Sequence, residues 1–143
     1  MTTPFGALMT TIDDVLQTAR DQYERLDAAA VTGEVAGGAV LVDIRPAAQR
    51  AAEGDVDGAL VIERNVLEWR CDPSSDARIP EAVDHDVRWI VLCSEGYTSS
   101  LAAAALHQLG LHRATDVVGG YHALTDVLGP RPSVPARRGA PRV

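Results

Sequence analysis

Cys93 is the residue of this chain whose setting best suits chemistry. It ends a short apolar run, Trp89 to Leu92, and is followed by Ser94, Glu95, Gly96, Tyr97, Thr98 and Ser99. Leu101 to Leu106 then begin a helix-favouring run. The spacing predicts a strand, a tight loop and a helix, with a thiol where the strand ends. Strand-to-helix loops aim backbone N–H groups and the positive end of the helix dipole at whatever the loop encloses. Those surroundings favour the thiolate, the nucleophilic form of cysteine.

Two further strand ends carry polar groups, Asp43 with Arg45 and Glu63 with Arg64. Arg64 and Arg70 are candidates for an anion site, weighed against solvated surface charges. Asp43 reads as a structural acid that ties Arg45 or loop N–H groups beneath the site. Cys71 falls in a polar, loop-like stretch and reads as an ordinary loop cysteine. Two cysteines do not make a disulfide framework. His85, His107, His112 and His122 show no metal-ligand spacing with the cysteines, so no metal and no cofactor are expected. Trp69 and Tyr97 read as packing or rim residues.

The elements that must position these groups follow from composition and pattern. A length of 143 residues suits one domain with a real core. Aromatic residues are few, so Ala, Val, Leu and Ile must fill that core. All thirteen basic residues are arginines, so an anion site must use Arg or backbone N–H groups. The net charge of −7 argues against nucleic acid as a partner. Residues 130–143 hold four arginines and no acid, which leaves nine arginines against twenty acids before them. No stretch is apolar enough to span a membrane and no signal peptide is visible, so the expected location is the cytoplasm.

Residues 1–10 read as a loose end. Thr11 is placed to cap a helix whose apolar face, from Ile12 through Val15, Leu16, Ala19 and Tyr23 to Leu26, runs to about residue 28 and packs on the outside of the domain. A second short helix over 28–36 ends at Gly37 and Gly38. Strands are expected from Ala39 to Pro46, over Leu60–Ile62, from Arg88 to Leu92 and over Thr115–Val118. Helical segments are expected at 47–52, 63–70, 98–109 and 121–128, and a loop over 71–86. From Gly129 onward four prolines and four arginines predict an unpacked, disordered tail, which leaves 11–128 as the domain. Alternating strands and helices argue for an open α/β fold with a mostly parallel sheet. In such sheets the reactive groups lie beyond the carboxyl ends of the strands, where the marked ends can converge.

Three places give the chain a resemblance to the rhodanese-like sulfurtransferase domains over about residues 28–128. Asp43-Ile44-Arg45 with the later turn Gly54 to Ala59 resembles the family's first signature, with Asp55 and Asp57 where His and Pro are usual. Cys93-x-x-Gly96-x-Thr98 is similar to the catalytic loop, and Gly119-Gly120-Tyr121 to the Gly-Gly-aromatic element. The resemblance implies an open, mostly parallel five-stranded sheet flanked by helices. It also implies a mechanism. Cys93 attacks the sulfane sulfur of a donor, keeps it as a persulfide, and yields it to a thiol or other nucleophilic acceptor. The loop over 94–98 would donate N–H groups to the sulfur, Gly96 would allow its backbone to curl, and the hydroxyls of Thr98 and Ser99 would reach the sulfur or cap the helix. Cys71 would at most serve as a resolving thiol.

Two departures shape the expectation. Thiosulfate-using members place Arg or Lys in the loop, where this chain has Ser94 and Glu95. An acid beside an anionic donor raises the cost of binding it, which leaves Arg45, Arg64 or Arg70 to supply charge from other loops. A small sulfur donor such as a thiol persulfide, or a persulfide-carrying protein, fits at least as well as thiosulfate. The related phosphatases need an arginine closing the cysteine loop to grip phosphate bidentately. Ser99 and Ser100 stand there instead, against phosphatase or arsenate reductase chemistry. The alternative reading is a rhodanese-fold binding or regulatory module with little catalytic activity.

Overall fold

The computed structural model describes residues 10–135. Four strands form one parallel sheet in the order β2-β1-β3-β4: β1 is Val40–Asp43, β2 Leu60–Val61, β3 Trp89–Leu92 and β4 Thr115–Asp116. The central strands pair Val40 with Trp89 through Asp43 with Leu92. Both are buried along their whole length, which is why they read as unbroken apolar runs.

The strand pleat divides the core in two. Val40, Val42, Trp89, Val91 and Cys93 face one layer, against Leu67, Cys71, Ala102 and Leu106. Leu41, Ile90, Leu92 and Val117 face the other, against Val31, Val35, Tyr121 and Leu124. Helices α4 (Leu67–Cys71) and α5 (Thr98–Gln108) therefore cover the first face, and α2 (Val31–Ala36) and α6 (Gly120–Leu128) the second. Helix α3 (Ala47–Glu53) buries no residue and links β1 to β2 along the surface.

Among the described residues the sheet has four strands rather than the five implied by the resemblance. Beyond β4, the place of a fifth is taken by one residue: Leu26 N–H donates to the Asp116 carbonyl at 3.0 Å and Val118 N–H to the Leu26 carbonyl at 2.9 Å. The same bridge explains the short first helix. Helix α1 is Ile12–Arg20, capped by a reciprocal Thr11–Asp14 box, and does not run to residue 28. The chain turns after Arg20 so that Leu26 lies extended beside Val117. Leu16 and Ala19 are buried, whereas Ile12 and Val15 are exposed. Helix α1 packs against α5 and so lies outside the sheet layers, as the pattern predicts.

Two further expectations change. Cys71 is not a loop residue; it closes α4 and is fully buried. The chain after Gly129 does not leave the domain at once. Asp57 N–H donates to the Pro132 carbonyl at 3.1 Å, Val134 N–H donates to the Asp57 carbonyl at 2.8 Å, and Val134 is buried. An apolar valine and a free backbone edge thus hold residues 132–134 against the Gly54–Gly58 turn. The rest of the expected tail, residues 136–143, and residues 1–9 of the expected loose end lie outside the described residues. No helix among the described residues is long and apolar enough to cross a membrane.

Candidate active site

Cys93 stands one residue beyond β3, at the carboxyl edge of the sheet, and is 4% exposed. The chain curls back so that Gly96 N–H donates to Cys93 Sγ at 3.2 Å. Gly96 has φ +86°, and a Cβ there would lie 2.9 Å from the Gly119 nitrogen and 3.0 Å from the Val117 carbonyl. Only glycine fits both the backbone and the space. The Glu95, Tyr97 and Thr98 N–H groups have no acceptor among the described residues. Helix α5 starts at Thr98 with Tyr97 as its cap and no side-chain cap bond.

The Gly-Gly turn clamps this loop from one side. Gly120 (φ +60°) brings the start of α6 so close that a Cβ would sit 2.5 Å from the Cys93 carbonyl oxygen. The backbone N–H groups of Tyr121 and His122 donate to the carbonyls of Cys93 at 2.8 Å and Ser94 at 3.2 Å.

From beneath, a buried acid organises the loop. Asp116, at the end of β4, accepts from Tyr23 Oη at 2.6 Å, Arg25 Nε at 2.9 Å, and the hydroxyls of Ser99 and Ser100 at 2.8 Å each. Burial opposes its charge, but the hydrogen bonds from Arg25, Tyr23, Ser99 and Ser100 outweigh it and hold its carboxyl below the usual range. Burial, and then the hydrogen bond to Asp116, push the Tyr23 hydroxyl well up, which keeps it a donor. Arg20 and Arg25 both donate to the Gly96 carbonyl, at 2.8 and 2.9 Å. Ser99 thus turns down to Asp116 rather than up to the sulfur, against expectation. Two hydroxyls beside a buried carboxylate satisfy it better than they would a half-open cleft.

The cleft at Cys93 has a volume of about 370 Å³, and Pro46, Gln49, Glu53, Glu95, Tyr97 and Thr98 are among its lining residues. Ser94, half-buried, donates its hydroxyl to Glu53 Oε1 at 2.7 Å. That bond, then Arg45 Nη1 at 3.1 Å, holds the Glu53 carboxyl below its usual range. His122 Nε2 lies 3.5 Å from Glu53 Oε2. Glu95, Tyr97 and Thr98 are exposed at the rim.

The anion-site candidates take other places. Asp43 and Arg45 form a buried pair at 2.7 Å. Arg45 also gives Nη1 to Glu53 and Nη2 to the Gly54 carbonyl, and its guanidinium lies 4.1 Å over the Tyr121 ring. It is 1% exposed, so it braces the α3 turn rather than holding a free anion. Arg64 pairs with Glu68 at 2.7 Å and Arg70 donates to the Ala77 carbonyl at 3.1 Å; neither lines the cleft. An (i, i+4) acid on a short helix offers Arg64 a nearer partner than the loop does. Cys71 sits in apolar surroundings where burial, with a smaller push from Glu68, raises its thiol to about 12.

Asp116 could have been found as a fourth polar strand end. Arg20, Tyr23, Arg25 and Glu53 carried no comparable signal, because the partners that join them to the loop and to Asp116 lie 41 to 93 residues away in the chain.

A model of the rhodanese-like domain matches residues 19–126. No curated protein matches the chain. Among solved structures, a protein of unknown function from Rhodopseudomonas palustris, described as a possible tyrosine phosphatase, is 27% identical with a TM-score of 0.74, over 87% of this chain and 96% of that one. The human single-domain sulfurtransferase TSTD1 shares the fold at 23% identity and a TM-score of 0.61, over 73% of this chain and 96% of its own. The rhodanese-like domain of an Anabaena protein does so at 18% identity and 0.60, over 85% and 88%. With the parallel sheet, the cysteine loop and the Gly-Gly clamp in place, the match over most of its length makes this chain a member of the rhodanese-like domain family.

Proposed function

We propose that this chain is a sulfurtransferase that carries a sulfane sulfur on Cys93. The observation that carries the reading is the bond from Gly96 N–H to Cys93 Sγ at 3.2 Å, in a cleft-lining loop whose Glu95, Tyr97 and Thr98 N–H groups have no acceptor among the described residues. In the first step the Cys93 thiolate attacks the outer sulfur of the donor. The new S–S bond forms as the donor's own bond to that sulfur breaks, and the leaving group departs with the electron pair. In the second step an acceptor thiolate attacks the outer sulfur and Cys93 leaves as thiolate, so no net oxidation occurs. The free N–H groups suit an anionic sulfur at both stages.

The charge around the cleft favours a persulfide of a small thiol or of a protein over thiosulfate. Glu53 and Glu95 line it, and Arg45, the one arginine among its described lining residues, is buried on Asp43, Glu53 and Gly54. The place of a phosphate-gripping loop arginine is held by Ser99, bonded to Asp116, which speaks against phosphatase chemistry. Treatment with thiosulfate, mercaptopyruvate and thiol persulfides, followed by intact and peptide mass spectrometry, tests the reading. One sulfur mass on Cys93 is expected from at least one donor. No adduct from any of them removes the enzyme reading and leaves a binding module whose exposed Tyr97 and acidic rim meet a partner.

A further inference from the structure

The Gly96 carbonyl receives two guanidinium groups. Arg20, in the last turn of α1, gives Nη2 at 2.8 Å, and Arg25, in the extended segment that follows, gives Nη2 at 2.9 Å. Their charges differ in consequence. Arg25 is neutralised by buried Asp116, with Nε 2.9 Å from Oδ1. Arg20 has no acid at ion-pair distance among the described residues; its Nε goes to the Ser100 hydroxyl at 2.9 Å, and its guanidinium lies 5.9 Å from the Tyr97 ring centre. One uncompensated positive charge therefore sits under the loop, opposite a cleft lined by Glu53 and Glu95.

Every peptide bond among the described residues is trans. In a planar trans peptide the C=O and N–H point in opposite directions. The Gly96 carbonyl is turned to the arginines, so the N–H of the same peptide, that of Tyr97, is turned away from them. It has no acceptor among the described residues. Charge on the carbonyl end polarises the whole peptide and strengthens its N–H as a donor. The preceding peptide is the one whose Gly96 N–H already reaches Cys93 Sγ.

We propose that Arg20 and Arg25 are positioning residues for the cysteine loop: they fix the Gly96–Tyr97 peptide with its N–H available to an anionic sulfur. Arg20 adds, from beneath, the positive field that the acidic cleft mouth does not supply. The assignment rests on Cys93 being the reacting thiol. Positive charge placed below the loop favours the anion on the sulfur without adding a docking site for a free sulfonate. It accounts for a reactive loop that carries an acid and no arginine.

The test uses the full chain and two alkylating reagents of the same size, iodoacetamide (neutral) and iodoacetate (anionic), with the rate at Cys93 read by peptide mass spectrometry. R20Q keeps a side-chain N–H donor and removes the charge; R20K keeps the charge. In R20Q the iodoacetate rate should fall about threefold or more relative to the iodoacetamide rate, and R20K should recover the ratio. A merely structural role would loosen the loop and move both rates together, so equal changes, or none, overturn the assignment. A second reading is the lifetime of a sulfur loaded on Cys93, expected to shorten in R20Q and to recover in R20K. If no donor loads sulfur and the reagent ratio still falls, the arginine assignment stands and the sulfur-transfer reading does not.

Discussion

The backbone N–H of Tyr121 donates to the carbonyl of Cys93 at 2.8 Å, which ties the first turn of α6 to the residue that follows β3. That bond needs Gly120 in between. A methyl group on Gly120 would meet three backbone atoms, the Cys93 oxygen at 2.5 Å and the Gly96 nitrogen and Ser94 carbonyl carbon at 2.8 Å each. Gly120→Ala should therefore cost about 2–4 kcal/mol, more than its φ of +60° alone would predict. Urea denaturation measures the loss; a cost under about 1 kcal/mol would show that α6 can shift away from the loop without consequence.

The buried pair of Asp43 and Arg45 makes a second prediction. Asp43→Asn removes the charge that faces a guanidinium which is 1% exposed. A stranded buried charge costs about 3–5 kcal/mol, and Glu53, half-buried at 3.1 Å, offsets only part of it. A lowered urea midpoint with an unchanged slope is the expected result. An Asn variant as stable as the parent would mean that Glu53 and the Gly54 carbonyl suffice for Arg45.

Asp116 sets a pH dependence whose sign is fixed by the direction of its shift. Its carboxyl is held below the ordinary value of 3.8 in the folded chain, so it is more acidic folded than unfolded. The unfolded chain then binds its proton first as pH falls. The stabilisation is fully present above about pH 4 to 5 and is lost as pH drops through the lower folded value. Stability measured against pH should show a steep acid limb, and Asp116→Asn should flatten it while lowering stability near neutrality. An acid limb unaltered in Asp116→Asn would place the titrating group elsewhere.

The two cysteines should separate cleanly. Cys93→Ser is expected to abolish sulfur loading. Cys71 is fully buried and its thiol is pushed up to about 12, so it is neither exposed nor ionised at neutral pH. Cys71→Ala should leave loading by any competent donor largely intact. Mass spectrometry after donor treatment decides; loss of loading in both variants would point to a two-thiol relay.

Glu95 supplies the last prediction. It is exposed at the rim of a cleft where Arg45, the one arginine among the described lining residues, is committed elsewhere. Glu95→Arg should lower KM for thiosulfate several-fold with little change in stability, since it reverses a charge at the mouth without touching a buried contact. Steady-state kinetics with thiosulfate and with a neutral thiol persulfide would show the donors moving apart. Equal effects on both would show that the mouth charge does not select.

The sequence read well where structure depends on neighbours along the chain. Cys93, Gly96 and the Gly119–Gly120 turn are local signals, since each marks a backbone that must bend or approach closely, and the structure places all of them at one sheet edge. The buried runs of β1 and β3 were legible for the same reason. Partnerships across the chain were not. Arg64 and Arg70 have the right charge for an anion site, yet each finds a nearer partner. Arg20 and Arg25, unremarkable in sequence, reach Gly96 over more than 70 residues. The first helix misled because Tyr23 and Leu26 continue a helical period while tertiary partners, Asp116 and Val117, draw them into an extended segment.

That extended segment has a practical consequence for anyone who trims this domain. Every signature of the fold, from Asp43 through the Gly-Gly turn, lies downstream of residue 39. A fragment beginning there would keep all four strands and Cys93, though not α2, which covers one face of the sheet. It would also strip both guanidinium groups from the Gly96 carbonyl and leave Asp116 buried without its arginine and its tyrosine. Such a minimal domain would carry every motif by which the family is recognised and still lack the floor of its cysteine loop.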